Sequence, residues 1–238
     1  MILDVDAGNT RIKWAVRGDG SSHGSASYDE LGAFHSWLRA NLPQKVCLGA
    51  VVDAAKLSQL IAAIEDVWSG DLERVQVVDG VQGVSLAYDD ISTLGVDRWL
   101  ALLAGRMRYP DQEVLIVDCG SAVTLDLLSS DGRHLGGYIV PGINMMRNAL
   151  FHNTDRVKVS GNPLGDVAPG QSTIEAVDHG VLRLIKSLIV DLEHEVEGRQ
   201  LLITGGDGNV LARLMGCEEA LAPHLVLEGI AIAVPEQG

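Results

Sequence analysis

The sequence predicts an α/β protein made from two copies of one smaller unit. Three observations carry that reading. Residues 4–16, DVDAGNTRIKWAV, and residues 116–128, IVDCGSAVTLDLL, share a pattern: an apolar run, an aspartate, a small residue, a glycine, small polar residues and a second apolar run. After each copy the apolar periodicity gives the same order, three strands, a helix, a strand and a helix. The composition, 47% hydrophobic with 27 glycines and 4% aromatic residues, is that of an ordinary α/β protein.

The elements follow in order. Residues 1–6 and 11–17 read as strands joined by a Gly-Asn turn, with a weaker third strand at 22–27. Residues 29–41, DELGAFHSWLRAN, carry apolar side chains at helical spacing. KVCLGAVV at 45–52 reads as a buried strand, 54–66 as a helix and RVQVVD at 74–79 as another strand. A helix is predicted over 96–108. The second copy supplies strands at 113–119, 122–128 and 134–140, helices at 142–152 and 172–197, a strand at 200–204, a GGDG turn, and helices at 209–215 and 227–234. Residues 160–171, SGNPLGDVAPGQ, read as an exposed loop. Two domains are expected, 1–108 and 109–238.

Composition narrows the function. A formal charge of −14 disfavours nucleic acid and anionic lipid as partners. No apolar run reaches the roughly 20 residues of a membrane span, and MILDVDAG has no basic start of an export signal. Cys47, Cys119 and Cys217 lack metal-ligand spacing, so reduced thiols in a cytoplasm are expected. Trp14, Trp37 and Trp99, with Met145 and Met146, read as packing residues, and the histidines are scattered.

The two hairpin turns suit phosphate. An aspartate ends each first strand, and the glycine lets backbone approach a ligand closely. Asn9 and Thr10 in one turn, and Ser121 and Thr124 in the other, offer donors to anionic oxygens. Neither turn is a Walker A loop or a dinucleotide fingerprint. Either hairpin alone is equally well read as an Asp-Gly turn held by local bonds. LLITGGDGNVLA could bring a flat or phosphorylated group against the backbone, or Asp207 and Asn209 could be plain helix caps.

Taken together, DAGNTRIKW, GVDRW, DCGSAVT, GGYIVPGINMM and TGGDGN resemble, in order and spacing, the motifs of type III pantothenate kinases. That family belongs to the superfamily of acetate and sugar kinases, heat-shock chaperones and actin. The resemblance covers essentially the whole chain, and GVDRW following YDD is its most discriminating part. It implies two duplicated ribonuclease-H-like (actin-like ATPase) halves with the active site in the cleft between them. It also implies a cytoplasmic homodimer that phosphorylates pantothenate with ATP, using a divalent ion such as magnesium and a monovalent activator, potassium or ammonium.

Carried over by position, Asp6, Ala7, Gly8, Asn9, Thr10, Arg11, Ile12 and Lys13 match the first phosphate segment, with Asp6 holding magnesium through water. Tyr88, Gly95, Val96, Asp97 and Arg98 match the pantothenate-contacting residues, with Asp97 as catalytic base. Asp118 matches the monovalent-cation ligand, Ser121 an ATP contact, and Thr173 a residue that reaches pantothenate from the partner subunit. Two departures stand out: Ser121 replaces a common threonine but keeps the hydroxyl, and GQST replaces the usual Gly-Lys-Asn-Thr around Thr173.

Each position also has a plainer reading. Asp97 could only cap its helix with Arg98 as a surface charge, Lys13 could be solvated, and Tyr88 could be a core-edge residue. A sugar kinase or exopolyphosphatase of the same superfamily, or a non-catalytic regulatory homologue, are the alternatives. Tyr88 with GVDRW argues against the first pair, and the presence of Asp6, Asp97 and Asp118 against the last.

Overall fold

A computed structural model describes residues 1–19, 22–152 and 166–236. The loop expected at 160–171 therefore lies outside the described residues as far as 165. The chain forms two compact units, Met1–Ala104 with His224–Gly238, and Gly105–Pro223.

In the first unit β1 (Ile2–Ala7) pairs antiparallel with β2 (Arg11–Val16), and β2 with β3 (His23–Ser27). After α1 (Gly32–Asn41), β4 (Lys45–Ala50) pairs parallel with β1. Following α2 (Ala54–Glu65), β5 (Asp71–Arg74) completes a sheet of order β3-β2-β1-β4-β5. Alternation sorts the two faces. Leu3, Val5 and Ala7 of β1 with Ile12 and Trp14 of β2 join Phe34 and Leu38 of α1 and Leu60 and Ile64 of α2 in one core. The Trp14 and Phe34 rings sit 4.9 Å apart and tilted at 49°, the edge-biased packing aromatic pairs prefer.

The second unit repeats the plan. β6 (Val114–Cys119), β7 (Ala122–Leu128) and β8 (His134–Pro141) form an antiparallel meander. α4 (Ile143–His152) and α5 (Thr173–His194) precede β9 (Gln200–Thr204), which pairs parallel with β6 in a sheet of order β8-β7-β6-β9. The core gathers Leu115, Val117, Val123 and Leu125 of the sheet with Leu182, Ile185 and Ile189 of α5 and Leu211 of α6 (Gly208–Met215).

The duplication extends to single hydrogen bonds. The Ala7 carbonyl accepts from Val51 N–H at 3.0 Å, and the Cys119 carbonyl accepts from Asp207 N–H at 3.0 Å. Gly8 N–H donates to the Arg11 carbonyl at 3.1 Å, and Gly120 N–H to the Ala122 carbonyl at 3.0 Å. The second turn is one residue shorter, so Asp6 stands opposite Lys13 whereas Asp118 stands opposite Thr124.

Two expected elements are corrected. The strand expected at 74–79 forms at Asp71–Arg74. Its register against β4 brings Asp71 and Glu73 to Lys45, whose Nζ lies 3.8 and 2.5 Å from their carboxylates, and the pairing that continues through Val75 N–H ends there. The helix expected over 29–41 is a short 3-10 turn at Tyr28–Glu30 followed by α1. The expected boundary at 108 also differs from the observed division. α3 (Val96–Arg108) contains the chain's passage from one unit to the other, and α7 (Leu225–Ala233) belongs with the first unit. α7 touches α3 so closely that a Cβ on Gly229 would lie 2.1 Å from the Leu100 carbonyl oxygen. Arg17 fastens its end, donating to the Val234 carbonyl and to both oxygens of buried Asp4. A sequence pattern cannot show this return, because the contacts join residues more than 100 positions apart.

Candidate active site

The first turn is built by fixing its carbonyls. Besides the Ala7 and Arg11 bonds above, the Gly8 carbonyl accepts from the Tyr28 hydroxyl at 2.9 Å, and the Asn9 carbonyl from Lys56 Nζ at 2.9 Å. Lys56 also lies over the Tyr28 ring, 5.6 Å from its centre. Asp53 caps α2, its carboxylate accepting Lys56 N–H at 2.8 Å. Burial, then the charges of Asp6 and Asp53, push the Tyr28 phenol up to about 12. Asp6 and Lys13 are half-buried neighbours at the end of the hairpin, and Asn9 and Thr10 are exposed. Arg11 turns aside to the Ser25 hydroxyl at 3.3 Å. Ile12 is fully buried and contributes packing.

The second cluster lies at the start of α3. The Gly95 carbonyl accepts Trp99 N–H, and the Asp97 carboxylate folds back to accept Arg98 N–H at 2.8 Å. A side chain at Gly95 would collide with that carboxylate, the ideal Cβ lying 2.5 Å from Asp97 Oδ1. Arg98 is not a surface charge: it is 6% exposed, donates to the Tyr88 hydroxyl at 2.8 Å and lies over the Tyr88 ring. Arg98 thus links Tyr88, ten positions earlier, through its guanidinium and Asp97 through its backbone N–H. A buried guanidinium is costly unless its donors are engaged. Val96 is buried.

The third cluster surrounds the second hairpin. Asp118 is half-buried at the end of β6, and Ser121 is exposed in the turn. Gly205, at φ +90°, packs on this turn: a Cβ there would sit 2.5 Å from Asp118 Oδ1 and from the Cys119 backbone. Gly142 does the same from the other side, its N–H donating to the Ser121 carbonyl at 3.1 Å. The TGGDG and VPGIN motifs therefore converge on the DCGSAVT turn. Asp207 N–H bonds the Cys119 carbonyl, while its own carboxylate makes no cap bond to α6 and is pushed up by burial. Behind it, Arg147 of α4 holds buried Asp178 of α5 through two bonds of 2.7 and 3.2 Å.

Thr173 is exposed as the first residue of α5. Ser172 and Glu175 form the capping box that starts that helix: the Ser172 hydroxyl accepts Glu175 N–H at 3.2 Å, and the Glu175 carboxylate accepts Gln171 N–H at 2.7 Å. The departures in GQST are thus helix-starting residues. Tyr28, Asp53, Lys56, Arg147 and Asp178 went unnoticed in the sequence. Only the Ser/Glu spacing of the capping box was there to be read.

Among the described residues no three His, Cys, Asp or Glu side chains converge as metal ligands. A hard divalent ion held by these described residues would complete its shell with water and phosphate oxygens, as magnesium commonly does. No described helix is long and apolar enough to cross a membrane.

Comparison with known proteins gives the chain's relatives. A protein from Pseudomonas paraeruginosa named type III pantothenate kinase is 36% identical, covering 99% of both chains. Among solved structures, a Campylobacter jejuni protein classed with the Baf transcriptional activators superposes with a TM-score of 0.64 at 23% identity, covering 97% of this chain and 96% of that one. MreB5 of Spiroplasma citri bound to ADP superposes at 0.50 with 11% identity over 97% and 95%. These likenesses place the fold with the actin-like ATPases and sugar kinases. The type III pantothenate kinase family model matches residues 2–194. With the family model spanning most of the chain and a relative 36% identical over its full length, this chain belongs to the type III pantothenate kinase family, and it is a kinase.

Proposed function

We propose that this chain transfers the γ-phosphoryl group of ATP to the primary hydroxyl of pantothenate, giving 4'-phosphopantothenate, the first step toward coenzyme A. The observation that carries the reading is the Tyr88–Arg98–Asp97 cluster at the start of α3, in a chain of this family.

Phosphoryl transfer is mostly positioning and charge neutralisation. The Asp97 carboxylate orients the substrate hydroxyl and takes its proton as the oxygen–phosphorus bond forms and the bond to the β-phosphate oxygen breaks. Its place in the first turn of a helix favours the ionised form, so orientation outweighs basicity. Arg98, already held against Tyr88, meets the pantothenate carboxylate, and Gly95 and Val96 shape the approach. The segment Asp6, Ala7, Gly8, Asn9, Thr10, Arg11, Ile12 and Lys13 forms the first ATP-binding turn, with Ser121 the contact in the second. Asp6 would hold the magnesium through water, and that ion would neutralise charge on the transferring phosphates. Asp118 would hold potassium or ammonium, a charge that would offset the repulsion between a second carboxylate and phosphate.

Thr173 contacts pantothenate from a partner subunit of a homodimer. Exposed apolar side chains on edge strand β8 and on α4 support self-association: Leu135, Tyr138, Ile139 and Met145, with Ile139 62% exposed. Free thiols at Cys47, Cys119 and Cys217 fit a cytoplasmic setting, and the charge of −14 fits small-molecule partners better than nucleic acid.

A coupled ADP-release assay with pantothenate, hexoses and polyphosphate tests the acceptor. Turnover with pantothenate alone is expected, and turnover only with a hexose would overturn the assignment. Asp97→Asn should abolish turnover yet leave ATP binding within about twofold, since an uncharged isostere retains the shape but not the base.

A further inference from the structure

The first turn shows which of its groups can meet phosphate. Its carbonyls at Ala7, Gly8, Asn9 and Arg11 all accept hydrogen bonds from the protein itself. Two of these bonds come from side chains distant in sequence, the Tyr28 hydroxyl and Lys56 Nζ. In a trans peptide the C=O and the N–H of one unit point in opposite directions. With the Gly8 carbonyl drawn toward Tyr28, the Asn9 N–H is aimed the other way. With the Asn9 carbonyl drawn toward Lys56, the Thr10 N–H is aimed away from Lys56. Successive backbone donors of a short turn, directed away from the partners of its carbonyls, can form an anion-binding concavity.

We infer that Lys56 and Tyr28 are positioning residues for the nucleotide, fixing the DAGNT turn so that its backbone donors face the phosphates. The inference rests on the reading above that this turn meets ATP. Lys56 adds a second contribution. It brings a cation to a wall where Asp6 and Asp53 act on the Tyr28 ring, in a chain of net charge −14. Its alkyl stem over that ring holds the ammonium in one place before any ligand arrives. Neither residue touches the reacting atoms in this account, so their effect belongs to ATP binding and not to the acceptor.

The test uses the full-length protein, with binding of a non-hydrolysable ATP analogue followed by calorimetry and steady-state kinetics for both substrates. Lys56→Met keeps the stem over Tyr28 but removes the ammonium, Lys56→Arg keeps the charge, and Tyr28→Phe removes only the hydroxyl. Lys56→Met is expected to weaken analogue binding and raise KM for ATP by about 10- to 150-fold, the range of a charge-assisted hydrogen bond. Lys56→Arg should restore most of this, while KM for pantothenate and the thermal midpoint stay near wild type. Wild-type analogue affinity in both Lys56→Met and Tyr28→Phe would overturn the inference. So would equal losses for both substrates accompanied by a lowered midpoint, since that describes a purely structural role. Failure of the wild-type protein to bind the analogue would instead overturn the ATP reading on which the inference stands.

Discussion

Replacing Gly205 by alanine should damage the second hairpin more than replacing Gly136, although both glycines have left-handed backbones. Gly205 has φ +90° and Gly136 has φ +99°, so each alanine carries a similar conformational cost, about 1–2 kcal/mol. The surroundings differ. An alanine methyl at 136 meets nothing within 4 Å, whereas at 205 it would sit 2.5 Å from Asp118 Oδ1 and from the Cys119 nitrogen and carbonyl carbon. A carboxylate can swing aside, but Cys119 lies inside a ladder pairing β6 with β7. Forcing a methyl into such a site adds about 1–3 kcal/mol. Gly205→Ala is therefore expected to lose about 2–5 kcal/mol and Gly136→Ala about 1–2 kcal/mol. Urea unfolding of both variants, followed by circular dichroism, measures the difference. Calorimetry with the ATP analogue should show weakened binding for Gly205→Ala only. Equal destabilisation by the two alanines would mean that the close approach of the TGGDG turn to the second hairpin is not what demands glycine at 205.

Arg147→Met should cost about 3–5 kcal/mol by taking the guanidinium away from Asp178, which is 1% exposed, and Arg147→Met with Asp178→Leu should recover most of it; a double variant no more stable than the single one, in the same urea experiment, would refute this. Asp118→Ala should flatten the dependence of turnover on potassium concentration, and an unchanged potassium curve would remove the cation from that position. The Tyr28 phenol, raised from 10.0 to about 12, contributes stability that is complete below pH 10 and lost as pH rises through about 12. Phenolate absorbance should accordingly lose its latest-titrating component in Tyr28→Phe, and loss of a component near the ordinary value would contradict the stated burial.

Local pattern carried much of this molecule. The hairpins could be read because alternating apolar residues on both sides of an Asp-Gly turn leave a strand little choice of register. The span of α3 could be read because its apolar residues recur at helical spacing over thirteen positions from Val96 to Arg108. β5 was misplaced for a related reason. VQVV has strand propensity, but propensity yields to the partner strand, and the register on β4 that brings Asp71 and Glu73 to Lys45 places the pairing three residues earlier. In the candidate site, Tyr88 and Arg98 are close enough in sequence for one motif to contain both. Lys56 meets Asn9 across 47 positions, and nothing in the local sequence around either announces the other.

By itself, the order of residues determined that two similar α/β units exist, where their acidic turns fall, and which motif accompanies Asp97. Those features depend on periodicity and on glycine at bends, and both are properties of short stretches of chain. Tertiary structure decided that α7 returns to the first unit, that Arg98 is buried against Tyr88, and that Arg147 and Asp178 find each other. It also decided that the first turn is held by Tyr28 and Lys56. The physical reason is that such pairings form only when packing of the apolar faces brings distant backbone segments together, after which a buried charge or carbonyl must bond to whatever the fold has placed beside it.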